Sequence, residues 1–321
     1  MKLLTRFLAV LACCACTAAH AQYPEKPLRL IVPFPPGGNI DATARIISAG
    51  LGARLGGTVI VENRAGAAGL TGSEFVARSD ADGYTALLGS TGALAPARAL
   101  HPGTPLHPTK DFVAAGPLAR APLVLAVRPD LPAGDLKSFI AYAKAHPGKL
   151  TMASAGVGTA AHLTGELFQK LSGTRFLHVP YKGSSLAVAD LLGGHVDLTF
   201  DQLASTLAQI KAGKLRALGV TTAQRTSIMP ELPTLAESGL PGFEASTTTG
   251  LLFPAGTPAA VIAKVNAALQ EVLKQPDVQR QFRDLGSDVL PGSGADFDRI
   301  LRDETAKWDG VIKDAGIAPM E

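Results

Sequence analysis

The chain has 321 residues, 46% hydrophobic and 18% charged, with 30 Lys and Arg against 27 Asp and Glu. That length is a prior for about two domains, and the composition is too apolar for a disordered chain. No basic run and no basic patch interleaved with aromatics occurs, which argues against nucleic acid as a partner.

Residues 1–21 read as a secretory leader. Lys2 and Arg6 make a basic start, residues 7–15 a short apolar core, and Ala19-His20-Ala21 a small-residue cleavage site before Gln22. The apolar part is far shorter than the roughly 20 residues that a membrane span needs. Cys13, Cys14 and Cys16 all lie in the leader, so the mature chain is expected to hold no thiol and no disulfide. Cleavage before Cys13, giving a lipid-anchored form, is the alternative. Loss of Lys2 and Arg6 with the leader lowers the formal charge from +3 to +1.

Leu28–Val32 is an apolar run that reads as a buried strand. It breaks at Pro33-Phe34-Pro35-Pro36-Gly37-Gly38, which cannot continue a sheet. A helix follows, with Asn39 or Asp41 as N-cap and Ile40, Ala44, Ile47, Leu51 and Leu55 at helical spacing. A glycine loop thus delivers a helix N-terminus to the carboxyl end of a strand. Free N–H groups and about half a positive charge there favour an anion.

Residues 58–62 read as the next strand, 63–72 as a further glycine-rich loop and 73–78 as a helix. Asp82-Gly83 turns into a strand over 84–89 that ends in Ser90-Thr91-Gly92. This alternation predicts a parallel sheet with helices on its faces. Residues 97–111, with Pro102, Pro105 and Pro108, read as a surface loop, and 112–128 as a long strand passing between lobes. A helix is expected over 134–146, capped by Asp135 or by the preceding turn.

The opening design then recurs: a strand over 149–154, a loop Ala155-Gly156-Val157-Gly158-Thr159, and a helix over 160–171 burying Leu163, Leu167, Phe168 and Leu171. Strands follow over 176–179, 196–200 (ending at Asp201) and 215–221, with a helix over 186–192 after Pro180-Tyr181-Lys182-Gly183. Residues 250–253 read as the crossing back. Thr257-Pro258 starts a helix striped by Val261, Val265, Ala268 and Val272. The last helix, 296–313, turns Phe297, Ile300, Leu301, Trp308 and Ile312 to the core. Two strand–loop–helix units, one per half, predict two lobes whose helix N-termini face a shared cleft.

Gly156-Val157-Gly158-Thr159-Ala160-Ala161 fits the dinucleotide pattern G-x-G-x-x-G/A. The next strand ends in Val179-Pro180-Tyr181, without the acid that would bind a ribose, so no cofactor is predicted. The first loop lacks the Gly-Lys-Ser/Thr of a phosphate loop, and no G-x-S-x-G elbow occurs. His101 and His107 have no neighbouring acidic cluster, so no metal site is expected. Asp41 and Glu166 read as first-turn acids that complement a helix dipole. His162 is either a ligand contact or a partly buried cap, and Asp201 either a ligand contact or a hinge residue. Spacing suggests no carboxylate pair and no nucleophile–base pair, which favours a binding protein. The rival is an exported enzyme acting on a small carboxylate, with His162 as its base.

Taken together, PFPPGG-x-x-D at 33–41, ENRAGAAG at 62–69, DGYTALLG at 82–89 and GVGTAAHLTGELF at 156–168 form an ordered set. HVPYKGSS at 178–185, DLLGGHVDLTFD at 190–201 and PAGTP at 254–258 complete it. This set resembles the Bug family of periplasmic solute receptors, the substrate-binding proteins of tripartite tricarboxylate transporters. The resemblance implies an α/β, two-lobed type II periplasmic binding fold, each lobe a mostly parallel sheet flanked by helices. It also implies a periplasmic monomer that closes on a small carboxylate, held by two facing glycine loops and ordered waters largely without a salt bridge. Membrane permease subunits or a signalling sensor are the expected partners.

Carried onto this chain, residues 22–120 with 254–321 form one lobe and 121–253 the other, hinged near 120 and 250. Phe34 and Pro36 are expected to wall the site. The N–H groups of Gly37, Gly38 and Asn39 face those of Gly156, Gly158 and Thr159, beside Ser154, Ala155 and His162. Asp41 lies in the first of these helix starts. Ala67, Gly69, Ser90 and Thr91 form the floor, and Tyr181 and Asp201 address the distal end. One departure stands out: where the family has an Asn-Pro or similar segment with a Tyr after the strand ending near Ser90, this chain has alanine- and proline-rich residues 93–107.

Overall fold

A computed structural model describes residues 23–320; the leader, its cleavage site and its three cysteines lie outside the described residues. The first half alternates strand and helix as its apolar pattern demands. β1 (Leu28–Val32), α1 (Asn39–Leu55), β2 (Val59–Asn63), α2 (Leu70–Ala77) and β3 (Thr85–Ser90) follow in order. β2 and β3 flank β1 in parallel register. The α1 stripe of Ala44, Ile47, Leu51 and Leu55 is buried, as its spacing predicts. At the start of α1, Gly38 is the N-cap, extended and without a side-chain bond. Asn39 is the first helical residue, and Asp41 turns its carboxylate back to the Gly37 N–H instead.

Residues 101–111 form the expected loop, with Pro102, Gly103, Pro105, Thr109 and Lys110 exposed, but the stretch before it does not. Two four-residue helices, α3 (Thr91–Leu94) and α4 (Ala97–Leu100), fold that stretch inward. Ala95, Ala97, Leu100 and Leu106 are buried. The prolines limit helix length there without forcing exposure, because small alanines let the backbone approach its neighbours.

β4 (Phe112–Val127) is the shared element. Its first part pairs antiparallel with β9 (Ser246–Pro254), from Phe112 against Pro254 to Pro122 against Ser246. From Leu123 to Val127 it pairs with β7 (Leu198–Gln202), and from Val124 to Val127 also with β8 (Arg216–Val220). β5 (Thr151–Ser154) lies parallel between β6 (Leu177–Pro180) and β7. The result is one curled sheet of ten strands across two lobes. All nine residues of β9 are buried and pair with β3 and β4 of the first lobe. The return from the second lobe therefore comes before Ser246, earlier than the crossing expected at 250–253. The hydroxyl-rich start of β9 hid it, since Ser246–Thr249 lack an apolar pattern.

In the second lobe, α5 (Leu136–Ala145) starts on a capping box between Asp135 and Ser138. α6 (Ala160–Ser172) is capped by Thr159, and α7 (Ser184–Leu192) and α8 (Leu203–Lys211) follow. Leu171 is exposed rather than buried. α9 (Ala259–Leu273) has Pro258 itself at the cap, while the Thr257 hydroxyl donates to the Pro254 carbonyl at 2.8 Å. α10 (Pro276–Asp284) and the short β10 (Asp288–Val289) come next. α11 (Gly294–Asp314) begins on a Ser293–Asp296 capping box. Its Phe297 fills the space over Gly250, where a Cβ would lie 2.3 Å from the ring. Its Trp308, Val311 and Ile312 share a core with Phe168 and Phe243. One helix is thus packed against both lobes.

Candidate ligand-binding cleft

The proline–glycine loop after β1 is held from below. The Asp41 carboxylate accepts the Gly37 N–H (2.9 Å), Arg45 Nε (2.9 Å) and Asn63 Nδ2 (2.9 Å). The same Asn63 amide donates to the Phe34 carbonyl at 3.0 Å. The bond from the Arg45 guanidinium brings the Asp41 carboxyl down to about 2, against the opposing effect of burial. Asp41 therefore acts under the loop rather than in the cleft.

The second glycine loop is held by two histidines. Gly156 and Gly158 have φ of 137° and 74°, a region open to glycine. The Gly158 N–H donates to His162 Nδ1 at 3.1 Å. The His162 ring stacks on His178, and His178 Nε2 lies 2.7 Å from Ser154 Oγ, which accepts the Gly156 N–H at 3.2 Å. Burial, reinforced by His178, lowers His162 to about 4, and burial lowers His178 as well. Neutral imidazoles therefore brace this loop at neutral pH.

Between the two loops lies a cavity of about 800 Å³. The first lobe contributes Phe34, Pro36, Gly37, Gly38 and Asn39; the second contributes Val157, Gly158, Thr159 and Ala160. Ser90 and the α3–α4 segment close one side, with Gln202, Thr247 and Met320 at the remaining edges. No Lys or Arg lines it among the described residues. Four of the donors expected to face a ligand are already used: Gly37 by Asp41, Gly156 by Ser154, Gly158 by His162, and Thr159 by the Gly156 carbonyl at 3.3 Å. The first N–H groups of a helix have no intrahelical acceptor. Gly38, Asn39, Ile40 and Asp41 at the start of α1, and Ala160 and Ala161 at the start of α6, keep free N–H groups among the described residues.

The other expected site residues lie behind or beside this wall. Ala67 lines an adjoining depression with His101 and Met320, and Gly69 packs under the Phe34 ring. Thr91 Oγ1 accepts the Thr248 N–H at 3.0 Å, and Ala155 accepts the Gly183 N–H at 3.2 Å. Ser154, Gly156 and His162 form the bracing layer described above. Tyr181 turns away, its hydroxyl donating to Asp190 at 2.6 Å; burial and that carboxylate push it up to about 12. Asp201 is buried, accepting from Ser184 and the Gln202 N–H, with its other oxygen unpartnered. Burial raises its pKa. Sequence reasoning missed Leu100, Gln202, Thr247 and Met320, none of which carries a local motif.

Two lobes joined by shared strands, with opposed helix N-termini across a cleft that no Lys or Arg lines among the described residues, define a solute-binding protein of the periplasmic type. Residues 43–317 match the tripartite tricarboxylate transporter family receptors. The chain is 38% identical over 320 residues to protein BugT of Bordetella pertussis, with 98% of each chain covered. The structure of R. palustris Rpa4515 with adipate is similar at 35% identity and a TM-score of 0.79, covering 93% of this chain and 100% of that one. MatC from Rhodopseudomonas palustris with bound malate is similar at 33% identity and a TM-score of 0.75, covering 90% and 100%. The chain belongs to the tripartite tricarboxylate transporter receptor family, that of the Bug proteins. Its relatives are solute-binding proteins rather than enzymes, among them the periplasmic binding protein BugD.

Proposed function

We propose that the chain is exported, loses its leader after Ala21, and captures a small organic carboxylate for a tripartite tricarboxylate-type permease. The observation that carries this is the pair of helix N-termini, α1 and α6, on opposite sides of a cavity that no Lys or Arg lines among the described residues. The ligand carboxylate sits against the free N–H groups of Gly38, Asn39 and Ile40 on one side and Ala160 and Ala161 on the other, directly or through water. Hydrogen bonds to a charged group contribute roughly 1.5–3 kcal/mol each, and a micromolar receptor needs only about 8 kcal/mol net. Closure is a hinge motion through β4 near Arg120–Leu123 and through the return strand before Ser246.

The enzyme reading is weaker because His162 is not poised as a base. Its Nδ1 already accepts from Gly158, and its Nε2 faces Glu166 at 3.6 Å behind the loop. The test is a thermal-shift screen of the mature protein against mono-, di- and tricarboxylates, with product analysis alongside. Binding to the folded state alone raises the midpoint, by about 2.7 kcal/mol of stability at a hundredfold excess over Kd. A carboxylate that raises the midpoint and is recovered unchanged supports the receptor. Turnover, or no response to any acid, refutes it.

A further inference from the structure

One wall of the cleft is hydrocarbon, and it is assembled from distant parts of the chain. The Met320 N–H donates to the Leu100 carbonyl at 2.6 Å, laying the C-terminal segment along α4. Leu100 is buried, and Met320 is half-buried with Ile317 against the core. Both side chains reach the opposite lobe at its glycine loop. A methyl group at Gly158 would lie 2.7 Å from Leu100 Cδ1 and 2.9 Å from Met320 Cε. This contact sits one turn or less from the free N–H groups of Ala160 and Ala161, where a ligand acid group is held in the reading above. Two nearby polar groups are already used: the Thr159 hydroxyl is spent on the Gly156 carbonyl, and the Asn39 amide donates to Leu285. Thr247 Oγ1 and His101 Nε2, both buried without a partner, remain on the cavity with Ser90 and Gln202, while Leu100 and Met320 offer a ligand hydroxyl nothing.

We infer that this site selects organic acids with an unsubstituted hydrocarbon body, aliphatic or aromatic, over hydroxylated acids of equal charge. Leu100 and Met320 set that preference. The inference rests on the carboxylate reading and deepens it. A ligand hydroxyl placed against these two side chains leaves water without gaining a partner, which costs about tenfold in affinity for each such group. A methylene in the same place gains contact.

The test uses calorimetry on the mature chain with acids matched in charge and carbon skeleton: adipate against galactarate, and benzoate against gallate. The expected result is at least about tenfold tighter binding of the unhydroxylated acid in a pair that binds. Met320→Gln, at the edge of the fold, narrows that ratio several-fold with the melting midpoint unchanged, and Met320→Leu restores it. Equal or tighter binding of the hydroxylated acid overturns the inference and leaves the carboxylate reading intact. An unchanged ratio in Met320→Gln overturns the role of that wall. If no acid of the wider carboxylate panel binds, the carboxylate reading and this inference fall together.

Discussion

The imidazole of His162 lies flat on that of His178, with centroids 3.9 Å apart and planes 8° from parallel. Because His162 Nδ1 accepts the Gly158 N–H, the stack fixes the loop only while His162 is neutral. Glu166 faces Nε2 from the same helix, and His178 faces the ring from β6. A folded-state pKa near 4 against an ordinary 6.5 means that the unfolded chain takes up this proton first as pH falls. Stability is therefore complete above about 6.5 and is lost progressively down to about 4. Melting midpoints across this range, with ligand affinity beside them, are expected to fall together. His162→Asn keeps an acceptor for Gly158 and removes the titration, so its profile is expected to be flatter. A wild-type slope persisting in His162→Asn would place the titrating group elsewhere.

Gly158→Val is expected to abolish ligand-induced stabilisation. The residue holds φ at 74°, and its missing Cβ is the space that Leu100 and Met320 occupy. A β-branched side chain meets both obstacles, the left-handed backbone cost being about 1–2 kcal/mol by itself. Circular dichroism should show the fold retained, with no shift on adding a carboxylate that shifts the wild type.

Asp41→Ala removes the anchor of the first glycine loop. It leaves the Gly37 N–H and the Asn63 amide without their acceptor, at a cost of about 1–3 kcal/mol. The Asp41 pKa is lowered to about 2, so its contribution is present above the ordinary value of 3.8 and fades as pH falls toward 2. Urea unfolding of wild type and variant is expected to differ at pH 7 and to converge in strong acid. A constant difference across that range would mean that the carboxylate charge is not what holds the loop.

Trp308→Ala is expected to cost about 3–5 kcal/mol, the usual range for a buried aromatic. Trp308 is the only tryptophan in the chain, is 3% exposed, and donates through Nε1 to Glu304 at 2.7 Å. It sits where α11 meets the Phe168–Phe243 core, so its loss weakens the helix that packs on both lobes. Denaturant titration gives the number; a change under about 1 kcal/mol would contradict a packing role.

The two strand–loop–helix units were legible because their signals are local. β1 and α1 have clear periods, and Pro33–Gly38 can be neither strand nor helix. The second unit shares that grammar through Gly156 and Gly158. By contrast, α3 and α4 are too short to show a period, and β9 opens on buried hydroxyl residues that resemble a loop. α8 and α10 passed unread for a related reason: α10 buries only Val278 and Phe282, too few for a stripe. Among site residues, the glycines announced backbone donors, but their partners could not be counted. Whether an N–H faces a ligand or a neighbour depends on side chains such as Asp41 and His162 choosing one rotamer over another. Tyr181 looked available until Asp190 claimed its hydroxyl.

By itself the sequence determined that this chain builds two helix N-termini at the carboxyl ends of strands, because glycine, proline and apolar spacing act within a few residues. Only the tertiary structure decided which of those N–H groups stay free, and that Leu100 and Met320 close on Gly158. Such contacts join residues far apart in the chain, and their formation depends on the packing of the whole core rather than on any local propensity.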